Sequence, residues 1–313
     1  MVTGSRALAT AGAIAADRLV GEPPASIHPV AAFGRGMAAA ERRLYRDDHL
    51  AGVAYALGGI ALATGAGAAL RRVMRPGVAT FVAAEVAVAG RMLADSAIAI
   101  GAALERGDLD RARALLPTLV GRDPTALDAA EVARAVVESV AENTVDAVVG
   151  PACWAAAFGA PGVLAHRAVN TLDAMVGHRS TRYARFGWAA ARLDDVAAWV
   201  PARLTAVAVV AVRPRTAGAV WHAVRKDAPG HPSPNAGVAE AAFAAALGIR
   251  LGGVNRYGDR VEARPELGTG RPAAPADIAA AVRLARDVGW ATATALSVIG
   301  LVARVAGRRK RQR

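Results

Sequence analysis

A single cysteine, Cys153, stands in the whole chain, so neither an internal disulfide framework nor a cysteine zinc site can be built. It lies in an apolar segment and reads as a small buried hydrophobe. Lysine is nearly missing as well: Lys226 and Lys310 are the only two, and the formal charge of +12 is carried by arginine. Aromatic residues make up 4%, too few for the stacking platforms that bind single-stranded nucleic acid. No helix-turn-helix, zinc-finger or RNP signature is present, so nucleic acid is not an expected partner. There is no Gly-Lys-Ser/Thr phosphate loop, no GxGxxG after a strand, no HExxH and no GxSxG. Nothing alternates with period two for long, and no repeat is visible, which leaves an all-α fold.

What is present is apolar. The 313 residues are 54% hydrophobic and 20% charged with a mean hydropathy of +0.28, against about 25% charged in a typical soluble domain. Leu50–Leu70 runs 21 residues without a charge, close to the ~20 needed to cross the hydrocarbon core. Arg42, Arg43 and Arg46 precede it and Arg71, Arg72 and Arg75 follow, so charge does not set its direction. Ala7–Ala16 is expected to be a retained first membrane segment and Gly77–Leu104 a helix interrupted by Glu85, Arg91 and Asp95. Asp108–Asn143 is expected to be a soluble helical stretch, containing a turn in which Asp123 before Pro124 signals a helix start. Ala147–Ala165 is broken by Gly150-Pro151 and Pro161-Gly162, the pattern of a discontinuous helix. Val196–Val212 and Val288–Ala303 are further spans. Residues 213–287 form a polar loop region with a short helix near Val238–Leu247, and the basic tail 307–313 favours a cytoplasmic C-terminus. The expectation is one polytopic, all-α membrane domain over 1–313, with several transmembrane helices and at least one broken by Gly/Pro.

Three polar groupings stand out. Glu138, Glu142 and Asp146 are spaced i, i+4, i+8 and share one side of a regular helix, with Asn143 beside them. Like charges at that spacing oppose the helix unless a cation lies between them, and carboxylate oxygens suit Mg²⁺. A solvated acidic face has the same spacing. His166, Asn170 and Asp173 form a second face beside Arg167, followed by Arg179, Arg192, Asp194 and Asp195. Such arginines bind phosphate or carboxylate through paired hydrogen bonds, or anchor at lipid headgroups. Third, Pro229, Pro232 and Pro234 constrain a loop that presents His231, Ser233 and Asn235.

The runs Glu138-Ser139-Val140-Ala141-Glu142-Asn143-Thr144-Val145-Asp146 and Arg167-Ala168-Val169-Asn170-Thr171-Leu172-Asp173 resemble the CobD/CbiB family of cobalamin-biosynthesis membrane proteins. Phe186-Gly187-Trp188 through Asp195, Trp199-Val200-Pro201-Ala202-Arg203, and His231-Pro232-Ser233-Pro234-Asn235-Ala236-Gly237 are similar to it too. Asp17–Pro29 and the Val120-Gly121-Arg122-Asp123 turn match as well, and all these landmarks fall in family order from 17 to about 258. Gly230, where a lysine is common, and Val238, where an aromatic is expected, depart from the pattern.

The resemblance implies an inner-membrane enzyme, an amide-forming ligase of the adenosylcobinamide-phosphate synthase type. Its substrates would be adenosylcobyric acid and aminopropanol or aminopropanol O-phosphate, with ATP and Mg²⁺ as cofactors. Other cobalamin-biosynthesis enzymes are possible partners. On that reading Glu138, Glu142 and Asp146 hold the metal or act as base, with Asp173, Asp194 and Asp195 as further catalytic candidates. Asn143, Arg167, Asn170, Arg179, Arg192, His231, Ser233 and Asn235 would bind substrate. A corrin transporter or a non-catalytic membrane scaffold would share the polytopic pattern.

Overall fold

The structure is a computed structural model that describes residues 2–23, 26–121, 123–178, 180–257 and 260–309, with side chains left aside at 2, 3, 254–257, 260–263, 308 and 309. Arg179 and the last four residues of the basic tail lie outside the described residues. In chain order the elements are α1 (Val2–Leu19), α2 (Pro29–Leu44), α3 (His49–Val73), α4 (Pro76–Ala87), α5 (Gly90–Glu105), α6 (Leu109–Leu115) and α7 (Ala129–Thr144). They continue with α8 (Gly150–Leu172), α9 (Trp188–Ala197), α10 (Trp199–Val212), α11 (Ala217–Lys226), α12 (Ala236–Leu247), β1 (Ile249–Tyr257), β2 (Arg260–Leu267), β3 (Arg271–Pro272) and α13 (Pro275–Arg309).

This is an all-α polytopic membrane protein. Four helical runs are long and apolar enough to cross a bilayer: His49–Val73, Pro76–Glu105, Ala129–Gly177 and Pro275–Gly307. The broken pair α9 and α10 makes five if counted as one span. Only 22% of the apolar windows of α3 and α13 is buried, and Leu50, Leu57, Leu62, Val298, Leu301 and Val302 face outward. Helices that turn leucine and valine outward along their length are covered by lipid rather than water. Helix α1, expected as the first span, is not among these runs; Ala7, Ala11, Ala13 and Ile14 are buried.

Two compact units divide the chain. Unit 1 comprises residues 1–89, 146–198 and 292–313. Its core is largely alanine: Ala13, Ala79, Ala83, Ala84, Ala87, Ala155 and Ala160 cluster with Val163. Side chains this small let helix backbones approach, which is how helices pack where apolar surroundings supply no hydrophobic drive. Gly67 of α3 lies against Pro161 of α8, where an added Cβ would come within 2.6 Å of the Ala160 carbonyl. Helix α8 is broken at Gly159 (φ 71°). Pro161 has no N–H to return to the Ala157 carbonyl four residues earlier. Arg6 of α1 donates to that carbonyl instead, at 2.9 Å. The expected discontinuity is present, but at Gly159. At Gly150-Pro151 the chain passes from a π turn (Val145–Val149) into α8, with Pro151 in the first helical turn.

Unit 2 comprises residues 90–145 and 199–291. Here the expected start at Asp123 is corrected. Asp123 accepts from the Thr125 N–H and hydroxyl, while α7 begins at Ala129 under a capping box of Asp128 and Glu131. Within the polar region, α12 stands where the short helix was expected. The region also holds a three-stranded sheet that the pattern did not reveal, in the order β2-β1-β3. β1 and β2 pair antiparallel from Leu251↔Leu267 to Tyr257↔Arg260, with a register shift between Leu251 and Gly253. Gly252 (φ 82°) and Gly253 (φ 88°) form that bulge, a conformation that favours residues without a Cβ.

Candidate functional site

In unit 1, polar side chains from five separate segments gather among apolar helices. Asp17 closes the last turn of α1 and is buried. Glu22 lies in the following connection. His28 caps α2: Pro29 occupies the first helical position, and the His28 Nδ1 accepts the Val30 N–H at 3.2 Å. Glu85 comes from the apolar face of α4, and Asp146, Arg167 and Asn170 from the π turn and α8.

Their connections can be traced atom by atom. Asn170 donates from Nδ2 to Asp146 Oδ2 at 3.0 Å, and its Oδ1 accepts from Arg167 at 3.3 Å. Arg167 is electrostatically coupled to both Asp146 and Glu22. His28 Nε2 lies 3.4 Å from Glu22 Oε2, and the two side chains are 7% and 9% exposed. Because Nδ1 accepts a backbone N–H, Nε2 carries the proton of the neutral ring. Burial, aided by the Arg167 charge, holds His28 below its ordinary imidazole range. Burial pushes the Glu22 carboxyl up to about 7; Arg167 opposes the shift, and Asp17 and Glu85 add to it.

Five buried atoms in unit 1 make no hydrogen bond to the described residues: Glu22 Oε1, His28 Nε2, Glu85 Oε1, His166 Nδ1 and Arg167 Nε. Buried polar atoms are nearly always paired, since leaving one unpaired costs about 1–3 kcal/mol. A group of them, acceptors beside a donor, marks a place where a polar ligand would complete the pairing.

Unit 2 holds the second constellation. The His231 Nδ1 accepts the Ser233 N–H at 3.1 Å, and Ser233 Oγ accepts from the Asn235 and Ala236 N–H groups at 3.3 and 3.1 Å. Asn235 Oδ1 accepts from Arg203 at 2.9 Å, whose guanidinium lies 4.4 Å above the Trp199 ring. His231 Nε2 faces Glu240 at 3.7 Å and Arg264 at 3.5 Å. Below it, Glu138 accepts the Gly252 N–H at 2.8 Å and Arg134 donates to the Gly252 carbonyl. Two residues one turn apart on α7 thus hold both backbone groups of the bulge residue Gly252.

The residues expected from sequence distribute as follows. Asp146, Arg167 and Asn170 are brought together in unit 1. His231, Ser233 and Asn235 are brought together in unit 2, with Glu138 on the bulge. Asn143 turns back to Ser139, donating to its carbonyl at 2.9 Å and its hydroxyl at 3.1 Å. Glu142 is exposed. Asp173 opens a second π turn, Asp173–Gly177, with its carboxylate over Gly177. Arg192 pairs with Asp195 at 3.2 Å on an exposed face of α9, beside Asp194. Among the described residues no three His, Cys, Asp or Glu side chains stand close enough to hold a metal ion. The i, i+4, i+8 argument assumed an unbroken α-helix, and the π turn at Val145–Val149 ends that phase at Asp146.

Asp17, Glu22, His28 and Glu85 were not weighed as site residues. Each is a lone polar residue on a different element, so no spacing along the chain joins them. Two signals were available: the run Asp17–Pro29, similar to the family and containing Asp17, Glu22 and His28, and Glu85 inside an apolar run, because an ionisable residue in a membrane helix is a functional candidate by default.

This fold and this buried polar cluster define a multi-pass membrane protein with a charged site among its helices. The family model for CobD/Cbib protein matches residues 10–285, and the chain belongs to that family. It is 50% identical over 282 residues to "Cobalamin biosynthesis protein CobD" of Mycobacterium tuberculosis (strain ATCC 25618 / H37Rv), covering 87% of this chain and 88% of the relative. A protein of the same name in Geobacter metallireducens is 39% identical over 280 residues, covering 86% and 87%. That of Stutzerimonas stutzeri is 42% identical over 293 residues, covering 91% and 93%. No solved structure matches.

Proposed function

We propose that this protein is a membrane enzyme of cobalamin biosynthesis, joining the free propionate of adenosylcobyric acid to aminopropanol or aminopropanol O-phosphate as an amide. Family membership and the relatives' names support the pathway. The observation that carries the site is Arg167. Its guanidinium is anchored through Asn170, while its buried Nε has no acceptor among the described residues. A guanidinium with an unused donor in a dry setting is suited to a carboxylate. Arg167 therefore receives the propionate, and Asp146 with Asn170 fixes its plane.

A carboxylate does not condense with an amine unaided, and ATP is the proposed activator through an acyl phosphate. Mg²⁺ usually binds through one or two carboxylates together with substrate phosphates. No set of three ligands is present among the described residues, so no residue is assigned to Mg²⁺ and no step runs through it. The site works at the inner membrane, and the basic tail keeps the C-terminus on the cytoplasmic side. The test is purified protein in detergent with adenosylcobyric acid, ATP, Mg²⁺ and each amine. A corrin product heavier by the amine less one water supports the reading. An unchanged corrin mass with both amines overturns it.

A further inference from the structure

The atoms left over in unit 1 are not all of one kind. Arg167 supplies a donor, whereas Glu22 Oε1 and Glu85 Oε1 are acceptors, buried in a region that also holds Asp17. Three carboxyl groups there outnumber the one guanidinium. The described residues present no metal-ligand set. A compact cation that carries its own hydrogen-bond donors fits better. A primary ammonium group has three N–H donors and no acceptor.

Resting on the amide-forming reading above, we propose that Glu22, Glu85 and Asp17 seat the primary ammonium group of the amine substrate, that His28 orients Glu22, and that Glu22 takes the ammonium proton. The His28 Nε2–H faces Glu22 Oε2 at 3.4 Å, which leaves Oε1 for the ligand. In the transfer, R–NH₃⁺ and the Glu22 carboxylate become R–NH₂ and the Glu22 carboxylic acid. Breaking the N–H bond returns its electron pair to nitrogen, which becomes the nucleophile. The groups facing Glu22 are Asp17 of α1, His28 at the head of α2, Glu85 of α4 and Arg167 of α8. Their balance places the carboxyl near 7, where a base is both available in its ionised form and able to hold the proton. One site would then sort the reactants by charge, carboxylate to Arg167 and ammonium to Glu22.

Calorimetry on the intact protein in detergent tests this without turnover, using 1-amino-2-propanol and its uncharged analogue 1,2-propanediol. The wild type should bind the amine at least about tenfold more tightly than the diol, the scale of a charge-assisted contact. Affinity should weaken about tenfold from pH 8 to pH 6 as Glu22 protonates. Glu22→Gln should lose the affinity and the pH dependence together, and Glu85→Gln should lose affinity with the pH dependence kept. Equal binding of amine and diol by wild type overturns the proposal even if a variant fails to fold. So does a folded Glu22→Gln protein that binds amine normally. Amine binding without any corrin product would sink the ligase reading and leave the ammonium seat standing. Amide formation with no amine preference would do the reverse.

Discussion

The two units differ in how far their buried polar groups are answered by hydrogen bonds. In unit 2 each neighbour answers the next: Arg203 to Asn235, Asn235 and Ala236 to Ser233, Ser233 to His231, and Glu138 with Arg134 to the two backbone groups of Gly252. In unit 1 the chain of contacts runs from Asp146 through Asn170 to Arg167 and then stops, with Arg167 Nε, Glu22 Oε1 and Glu85 Oε1 left over. A closed network stabilises a loop and a hairpin. An open one is unfavourable until something else binds. On the function proposed above, the difference would separate groups that maintain the fold from groups that meet a reactant, a distinction residue type alone would not make, since both units offer arginine, histidine, asparagine and glutamate.

The strongest challenge to this contrast is Arg167→Met. Removing the buried guanidinium should lower amide formation by about a hundredfold or more, the scale of a lost electrostatic contact to a transition state. Arg167→Lys should recover little, because a single ammonium cannot reproduce the planar fork. Turnover near wild type for Arg167→Met would place the propionate elsewhere. Next in size, Asp146→Asn should cost roughly tenfold by loosening the Asn170–Arg167 anchor, whereas exposed Glu142→Gln should stay within about twofold. Equal large losses in both would restore the acidic row as a functional unit.

For unit 2 the expected effect is on stability. His231→Ala and Asn235→Ala should each cost about 1–3 kcal/mol in unfolding experiments, with turnover per folded molecule little changed. A large fall in turnover at an unchanged midpoint would move that loop into the catalytic machinery. Smallest is a dependence on pH. The Glu22 carboxyl is raised to about 7 when folded, so its contribution to stability is present below the ordinary carboxylate range and is lost as pH rises through 7. Glu22→Gln should therefore gain most over wild type above pH 7, and 1-amino-2-propanol should return that difference to the wild type. Parallel melting curves across pH 5–8 would refute the shift.

Much of the fold could be read from the chain because lipid imposes a simple rule: long apolar runs flanked by arginine must be helices. The hairpin escaped since its strands are broken by Gly252, Gly253 and Pro265, and the run 254–263 has no sustained apolar–polar alternation in the sequence. Within the site, Asp146, Arg167 and Asn170 could be found because two of them sit three apart on one helix and all lie in conspicuous runs. The carboxyl groups of Asp17, Glu22 and Glu85 are joined only by tertiary packing. The π turn at Val145–Val149 changes the angle per residue, which the spacing argument for Glu138, Glu142 and Asp146 assumes constant.

The arrangement at Gly159 has a hereditary consequence. Arg6 and the Ala157 carbonyl, 151 positions apart, depend on one another because Pro161 cannot donate and Gly159 turns the chain. A lineage that lost Arg6 would strand that carbonyl while Gly159 still holds the chain out of helical phase. Replacing Pro161 alone would not return the helical bond across that break, so Arg6 is expected to be lost only where Gly159 and Pro161 change together, and a double-mutant cycle between positions 6 and 159 should show the coupling.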